Sequence, residues 1–161
     1  MKRWPVKTYL IVFAIISILT CSQATQGGQR GRFQVNAETV TDNRTGLMWA
    51  RHDNGSDIGW AEAEQYCHGL NLGGFADWRM PTQEELASLY VPESSEDGGF
   101  AVPDPISLSA CCLWAADRKG AKVASFDFDY GNRDWGYPTS TVDARVLPVR
   151  GGNGTGTGKG R

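Results

Sequence analysis

The apolar positions of this chain follow two periods. In "TVTDNRTGLMWAR", short apolar stretches flank the polar cluster Asp42-Asn43-Arg44-Thr45-Gly46. A polar cluster that ends in a glycine free to take positive φ is turn chemistry. The pattern predicts a hairpin, with one strand at Thr39–Thr41 and its return at Leu47–Arg51. A polar loop, "HDNGSDIG", follows. Trp60, Ala63, Cys67 and Leu70 then recur at spacings of three and four, which places them on one face of a helix. Glu62, Glu64 and Gln65 fall mainly on the other side. Ser56 or Asp57 offers an N-terminal signal, and Gly69, Gly73 and Gly74 end the helix.

A second, shorter helix is predicted after Pro81. Thr82 and Glu85 form a T-x-x-E capping box, and Leu86, Leu89 and Tyr90 supply the apolar stripe. The preceding "DWRMPT" reads as architecture. Trp78 fills core space where one helix hands over to the next. Pro81 stops extension of the previous segment. Arg79 has Asp77, Glu84 and Glu85 within reach. From Val91 to Leu108 the chain is rich in Pro, Gly, Ser and acid, which predicts a long loop.

Three strands follow, in "CCLWAA", "KVASFDFDY" and "ARVLPVR". The middle one alternates, with Val123, Ser125, Asp127 and Asp129 opposite Ala124, Phe126, Phe128 and Tyr130. Pro148 marks an edge or a bulge in the last. Two early helices with antiparallel strands predict an α+β fold.

The first residues belong to another class of segment. Lys2, Arg3 and Lys7 precede an apolar run from Tyr9 to Leu19. That is the layout of a signal peptide over residues 1–21, and it is shorter than the roughly 20 apolar residues of a membrane span. Cys21, after Ile18-Leu19-Thr20, is the favoured reading as a lipidation site. Ser22-Gln23-Ala24 competes as a cleavage site. Residues 22–32 read as a flexible linker, 33–150 as one domain, and the Gly-rich residues 151–161 as a flexible tail. The protein is expected to be exported: periplasmic, an outer-membrane lipoprotein or at the cell surface, meeting a membrane only through a lipid anchor.

Charge narrows the partners. Without Lys2, Arg3 and Lys7, 13 basic residues face 18 acidic ones, a formal charge of −5. No basic run interrupts this balance, so nucleic acid is not an expected partner. His52 and His68 lie in different elements, without a further ligand at zinc spacing. No nucleophile motif stands out, and Asp127 with Asp129 reads as the solvated face of a strand rather than an acid–base pair. No cofactor is expected. Asp127, Asp129, Asn132 and Asp134 gather oxygen donors of the kind calcium takes, though not at EF-hand spacing. The binding candidate is "DYGNRDWGYP", read as a loop. There Tyr130, Trp135 and Tyr137 offer ring faces, and Asn132, Arg133 and Asp134 offer polar groups, a combination suited to carbohydrate.

Taken in order, "TVTDNRTGLMWAR", Trp60-Ala61-Glu62-Ala63 with Tyr66-Cys67, "GFADWRMPTQEELASL", "CLWAAD" and "RVLPVRGG" resemble the Lcl C-terminal-like domain family. The family takes its name from a bacterial collagen-like adhesin. The resemblance implies a C-type lectin-like fold, with two helices, a twisted antiparallel sheet and a long-loop region. It also implies an exported bacterial surface protein, and the expected role is that of a non-catalytic binding module. The namesake adhesin binds sulfated polysaccharides, but this chain has neither collagen-like repeats nor a basic surface. Family members often carry R-C-V-R in the last strand, where Pro148 stands here. The resemblance therefore leaves Cys67 to pair with Cys111 or Cys112. Three functions stay open: a glycan-binding or adhesive module, an envelope protein–protein component, and a cysteine-dependent oxidase, since the formylglycine-generating oxidases resemble this fold.

Overall fold

A computed structural model describes residues 31–95, 99–139 and 143–151. The proposed signal peptide, Cys21, nearly all of the linker and the tail beyond Gly151 lie outside the described residues. The folded unit begins at Phe33.

The hairpin forms in the expected place. β2 (Thr39–Asp42) pairs antiparallel with β3 (Leu47–Ala50), with Val40 opposite Trp49. Asp42 holds the turn: its carbonyl accepts the Thr45 and Gly46 amides, and its side chain accepts the Arg44 amide. Gly46 has φ +71°, the left-handed conformation that favours glycine. β1 (Phe33–Val35) adds outside β2, and the chain's last strand, β8 (Val149–Arg150), adds beside β3. This closes a first sheet in the order β1-β2-β3-β8.

The second sheet has the order β6-β5-β4-β7. Its strands are β4 (Cys112–Lys119), β5 (Lys122–Asp127), β6 (Asn132–Gly136) and β7 (Ala144–Arg145). β7 runs parallel to β4, and the other neighbours are antiparallel. The fold is therefore α+β with two sheets, not one. Two strand expectations are also corrected. "ARVLPVR" is not one strand but two short ones in different sheets. Val146 and Leu147 cross between them, with Pro148 at the junction, where its carbonyl accepts the Ala50 amide. "DYGNRDWGYP" is not a loop: its middle is β6, because Asp127–Gly131 makes a turn that folds it back onto β5.

Strand alternation distributes the core onto both faces of the second sheet. Leu113, Ala115, Ala124 and Phe126 join Val40, Trp49, Trp78, Leu86, Leu89, Leu147 and Val149 in the main core. Trp114, Val123, Ala144 and Val146 point the other way, against Trp60, Ala63, Cys67 and Met80. The helix α1 (Trp60–Gly69) covers that second face and buries Trp60, Ala63 and Cys67 of the expected stripe, whereas Leu70 falls at the C-cap and packs, half-buried, against the main core. Its N-cap is Gly59, not Ser56 or Asp57, and no side chain caps it. Asp57 instead pairs with Arg145, and the Trp60 amide reaches the Pro138 carbonyl. The short helix α2 (Gln83–Ala87) packs against β4 and β5 with its capping box complete.

A bulge in β4 serves both helices. The register slips between Trp114 and Arg118. The Ala115 carbonyl accepts the Trp60 indole N–H, and the Ala116 amide reaches the Pro81 carbonyl. The Asp117 carboxylate accepts the Gln83 amide at 2.6 Å. The long Val91–Leu108 segment starts with a 3-10 turn, Pro92–Ser95, and then buries Ala101, Val102 and Ile106. Its remaining described residues form no helix or strand, as a long loop should, and these buried side chains tie it to the core.

The cysteines correct a further expectation. Cys111 and Cys112 are bonded to each other, and Cys67 is a buried free thiol. Cys67 is one of the packed apolar residues of the second core and forms no disulfide. Burial, with Glu64 nearby, pushes its thiol up to about 12, so it behaves as a small hydrophobe.

Candidate functional site

The six residues predicted for binding do not converge. Tyr130 lies in the β5–β6 turn, and Tyr137 lies just past the other end of β6. At about 3.3 Å per residue, that separates them by roughly 20 Å. Period-two alternation then divides the strand between them. Trp135 is paired with Ala124 and Arg133 with Phe126, so both share the main-core side of the sheet. Asn132 and Asp134, paired with Asp127 and Ser125, share the opposite side. Arg133 is drawn to α2 by Glu84, at 2.6 Å. The Asp134 main chain is engaged by the Gln83 side-chain amide at 3.1 Å.

What the register does bring together is a different set. Lys122 lies two residues before Ala124, on Trp135's side of the sheet, and Lys119 is its partner across the β4–β5 turn. Lys119, Ala121, Lys122, Trp135 and Tyr137 line one groove of about 470 Å³. Trp135 is 38 % exposed and Tyr137 63 %. Both lysines are exposed, and neither side-chain ammonium has a hydrogen-bond or ion-pair partner among the described residues. The groove thus offers two aromatic faces and two uncommitted ammonium groups. Sequence reasoning missed the lysines because only strand pairing carries them to Trp135. The alternation of β5 with a glycine turn at Gly120 was the available signal.

A second cavity of about 300 Å³ lies near Tyr66, His52 and Asp53. Its polar groups are largely committed to the fold. Arg51 donates to the Pro105 carbonyl, and Asp53 accepts from the Ser109 amide and hydroxyl and from the Gly55 amide. Burial pushes the Tyr66 phenol above its ordinary range, with Cys67 and Asp53 adding to the shift.

The oxygen-rich turn has a structural task. Asp127 Oδ1 accepts the amides of Asp129 and Tyr130, and the Asp127 carbonyl accepts that of Gly131. Asp127, Asp129 and Asp134 do not form a three-donor cluster. Among the described residues, the one such set is Cys111, Cys112 and Asp127.

The sequence model of the Lcl C-terminal domain family matches residues 38–150. The chain belongs to that family. No curated protein sequence matches it.

Within this Lcl C-terminal domain, the Asp77–Glu85 segment is a fastener. Trp78 is buried, and its indole N–H reaches the Leu72 and Phe75 carbonyls. The Arg79 main chain exchanges two hydrogen bonds with Val149 of β8. Its guanidinium grips both Glu85 oxygens, at 2.8 and 2.7 Å, and also reaches the Met80 and Gly151 carbonyls. Glu85 in turn accepts the Thr82 amide at 2.8 Å. Burial pushes the Glu85 carboxyl up, but the bonds from Arg79 and the Thr82 amide outweigh it and hold the group below its ordinary range. Of the three acids within reach of Arg79, only Glu85 pairs with it. Asp77 pairs with Arg150, which holds its carboxyl low, and Glu84 pairs with Arg133. Arg150 also covers the Phe75 ring at 3.7 Å.

Proposed function

We propose that this Lcl C-terminal domain is a non-catalytic carbohydrate-binding module of an exported bacterial protein. Family membership points to a surface or exported module. The glycan would lie in the groove between the β4–β5 turn and the end of β6. The observation that carries this reading is the meeting of Trp135 and Tyr137 with unpaired Lys119 and Lys122 on one side of a sheet. Sugar C–H groups stack on exposed rings, while ammonium groups donate to hydroxyl or acidic oxygens. Arg133, Asn132, Asp134 and Tyr130 then fall outside the contact. A C-type lectin-like arrangement is our reading of the fold, supported by the two helices, the two sheets and the long Val91–Leu108 loop. Export through residues 1–21, with Cys21 lipidated, would leave the domain tethered at the envelope.

A glycan array with the wild type, Trp135→Ala and Lys119→Ala/Lys122→Ala tests this. Binding by the wild type that both variants lose supports the groove. Binding that both variants retain moves the site elsewhere, and no binding by the wild type sinks the glycan reading. A second reading, a protein–protein role in the envelope, rests on β6 as the outer strand of its sheet. An outer strand has main-chain groups free to accept a partner's strand. Reproducible co-purification from envelope fractions, lost on insertion of proline into β6, would favour it.

A further inference from the structure

The start of β4 holds chemistry that the groove does not use. The donor atoms of Cys111, Cys112 and Asp127 all lie within 4.8 Å of one another, and the three residues are half-buried. The backbone fixes this meeting from several sides. Cys112 pairs with Asp127 in the β4–β5 register and with Ala144 of β7. The Cys111 carbonyl accepts the Phe128 amide at 2.9 Å. The Asp127 carboxylate is divided in its work. Oδ1 holds the β5–β6 turn through the Asp129 and Tyr130 amides, at 2.7 and 3.3 Å. Oδ2 has no hydrogen-bond partner among the described residues and stays available to a cation.

We propose that these three residues form a reduction-gated site for a soft divalent cation such as zinc. While the two sulfurs are bonded to each other, neither is a thiolate and the site is closed. An external dithiol opens it. The S–S bond takes up two electrons and two protons to give two thiols, and the dithiol closes to its own disulfide. The cation then displaces one proton from each thiol and is held by two thiolates and the Asp127 carboxylate, with water in a fourth position. Two sulfurs and one oxygen suit zinc, which takes mixed thiolate and carboxylate sets at tetrahedral geometry. Cys67 does not compete, because it is buried in the second core.

The test uses the full chain with zinc alone and, as a spectroscopic probe, cadmium alone. After reduction with a non-thiol phosphine and its removal under nitrogen, the protein is expected to bind one equivalent of zinc. Two protons should be released per ion, and cadmium should give a sulfur-to-metal charge-transfer band. The oxidised protein should bind neither. Cys111→Ser and Cys112→Ser should each abolish the band, whereas Cys21→Ser and Cys67→Ser should keep it. Asp127→Asn separates ligation from folding. The amide oxygen still accepts the two turn N–H groups, so the fold is kept, yet zinc affinity should fall at least tenfold, about 1.4 kcal/mol. Tight binding by the oxidised protein, an unchanged band in Cys111→Ser, or full affinity in Asp127→Asn would overturn the proposal. So would loss of near-ultraviolet dichroism on reduction, since the site requires Asp127 held opposite Cys112.

Discussion

Arg79→Ala is expected to weaken the fold substantially and to leave the groove beside Trp135 intact. Arg79 and Glu85 side chains are only 25 % and 20 % exposed, and their ion pair closes at 2.7 Å. Fully exposed pairs contribute about 0.2–1 kcal/mol, and breaking a buried pair costs about 3–5 kcal/mol. This pair lies between those limits. The Thr82 amide still bonds Glu85 after the substitution, so the carboxylate is not fully orphaned. A cost of about 2–3 kcal/mol follows, together with lost bonds to the Met80 and Gly151 carbonyls. With a urea m-value near 2 kcal/mol per molar, the midpoint should drop by about 1 M. Tryptophan fluorescence in urea reads this directly. Arg133→Ala is the internal control, because its pair with Glu84 is 48 % and 78 % exposed, and its cost should stay under about 0.5 kcal/mol. The pH dependence adds a second reading. A carboxyl held low in the folded state stabilises it above the unfolded value, and that contribution fades as pH falls through the folded value. The gap between wild type and Arg79→Ala should therefore shrink as pH falls below the ordinary 4.5. A loss below about 1 kcal/mol at neutral pH, a cost equal to that of Arg133→Ala, or a gap that persists in acid would refute the reasoning.

Thr82→Ala should cost about 1 kcal/mol in the same denaturation assay, since it removes the side chain that accepts the Glu85 amide. Gly131→Ala should cost about 2–3 kcal/mol: Gly131 has φ +72°, and a Cβ would meet the Tyr90 ring at 2.7 Å. Melting temperatures would show this, and an unchanged value would mean that Tyr90 moves aside freely. The Cys67 thiol is raised from 9.0 to about 12, so its stabilising effect is full below 9.0 and is lost as pH rises from there towards 12. The wild type should lose up to about 1.4 kcal/mol per pH unit across that window relative to Cys67→Ala, and parallel stability curves for the two would count against it.

The legible parts of this fold are those whose partners are close in sequence. Thr82 and Glu85 are three residues apart, so the capping box was readable outright. The Asp42–Gly46 turn was readable for the same reason, and so was the Trp60, Ala63, Cys67 stripe. The illegible parts depend on pairing between distant segments. "NRDWG" is polar enough to read as loop, and it becomes a strand only because Asp127 and Gly131 turn it back onto β5. "ARVLPVR" shows one apolar run, yet Val146 and Leu147 serve different cores because the chain passes between two sheets there. The disulfide is not legible, because nothing in the helix pattern tells a cysteine that packs from one that pairs. Cys67 fills apolar volume beside Trp60 and Trp114, and the adjacent cysteines satisfy each other.

That division also explains why the conspicuous motif and the groove are separate. The "DWRMPT" segment reaches both sheets: Arg79 exchanges main-chain bonds with β8, and the Pro81 carbonyl takes the Ala116 amide from the β4 bulge. Trp78 and Met80, two residues apart, enter the two different cores. A change there must repair several contacts at once, so the segment has little room to adapt to a ligand. The groove lies at the margin of the second sheet. Its lysines flank the Gly120 turn, and its aromatics stand on and just past an outer strand whose residues are mostly exposed. Substitutions there touch few neighbours and cost little stability. A fold held by the first region can therefore present different side chains in the second, and the groove is the place where this chain's own recognition chemistry would be written.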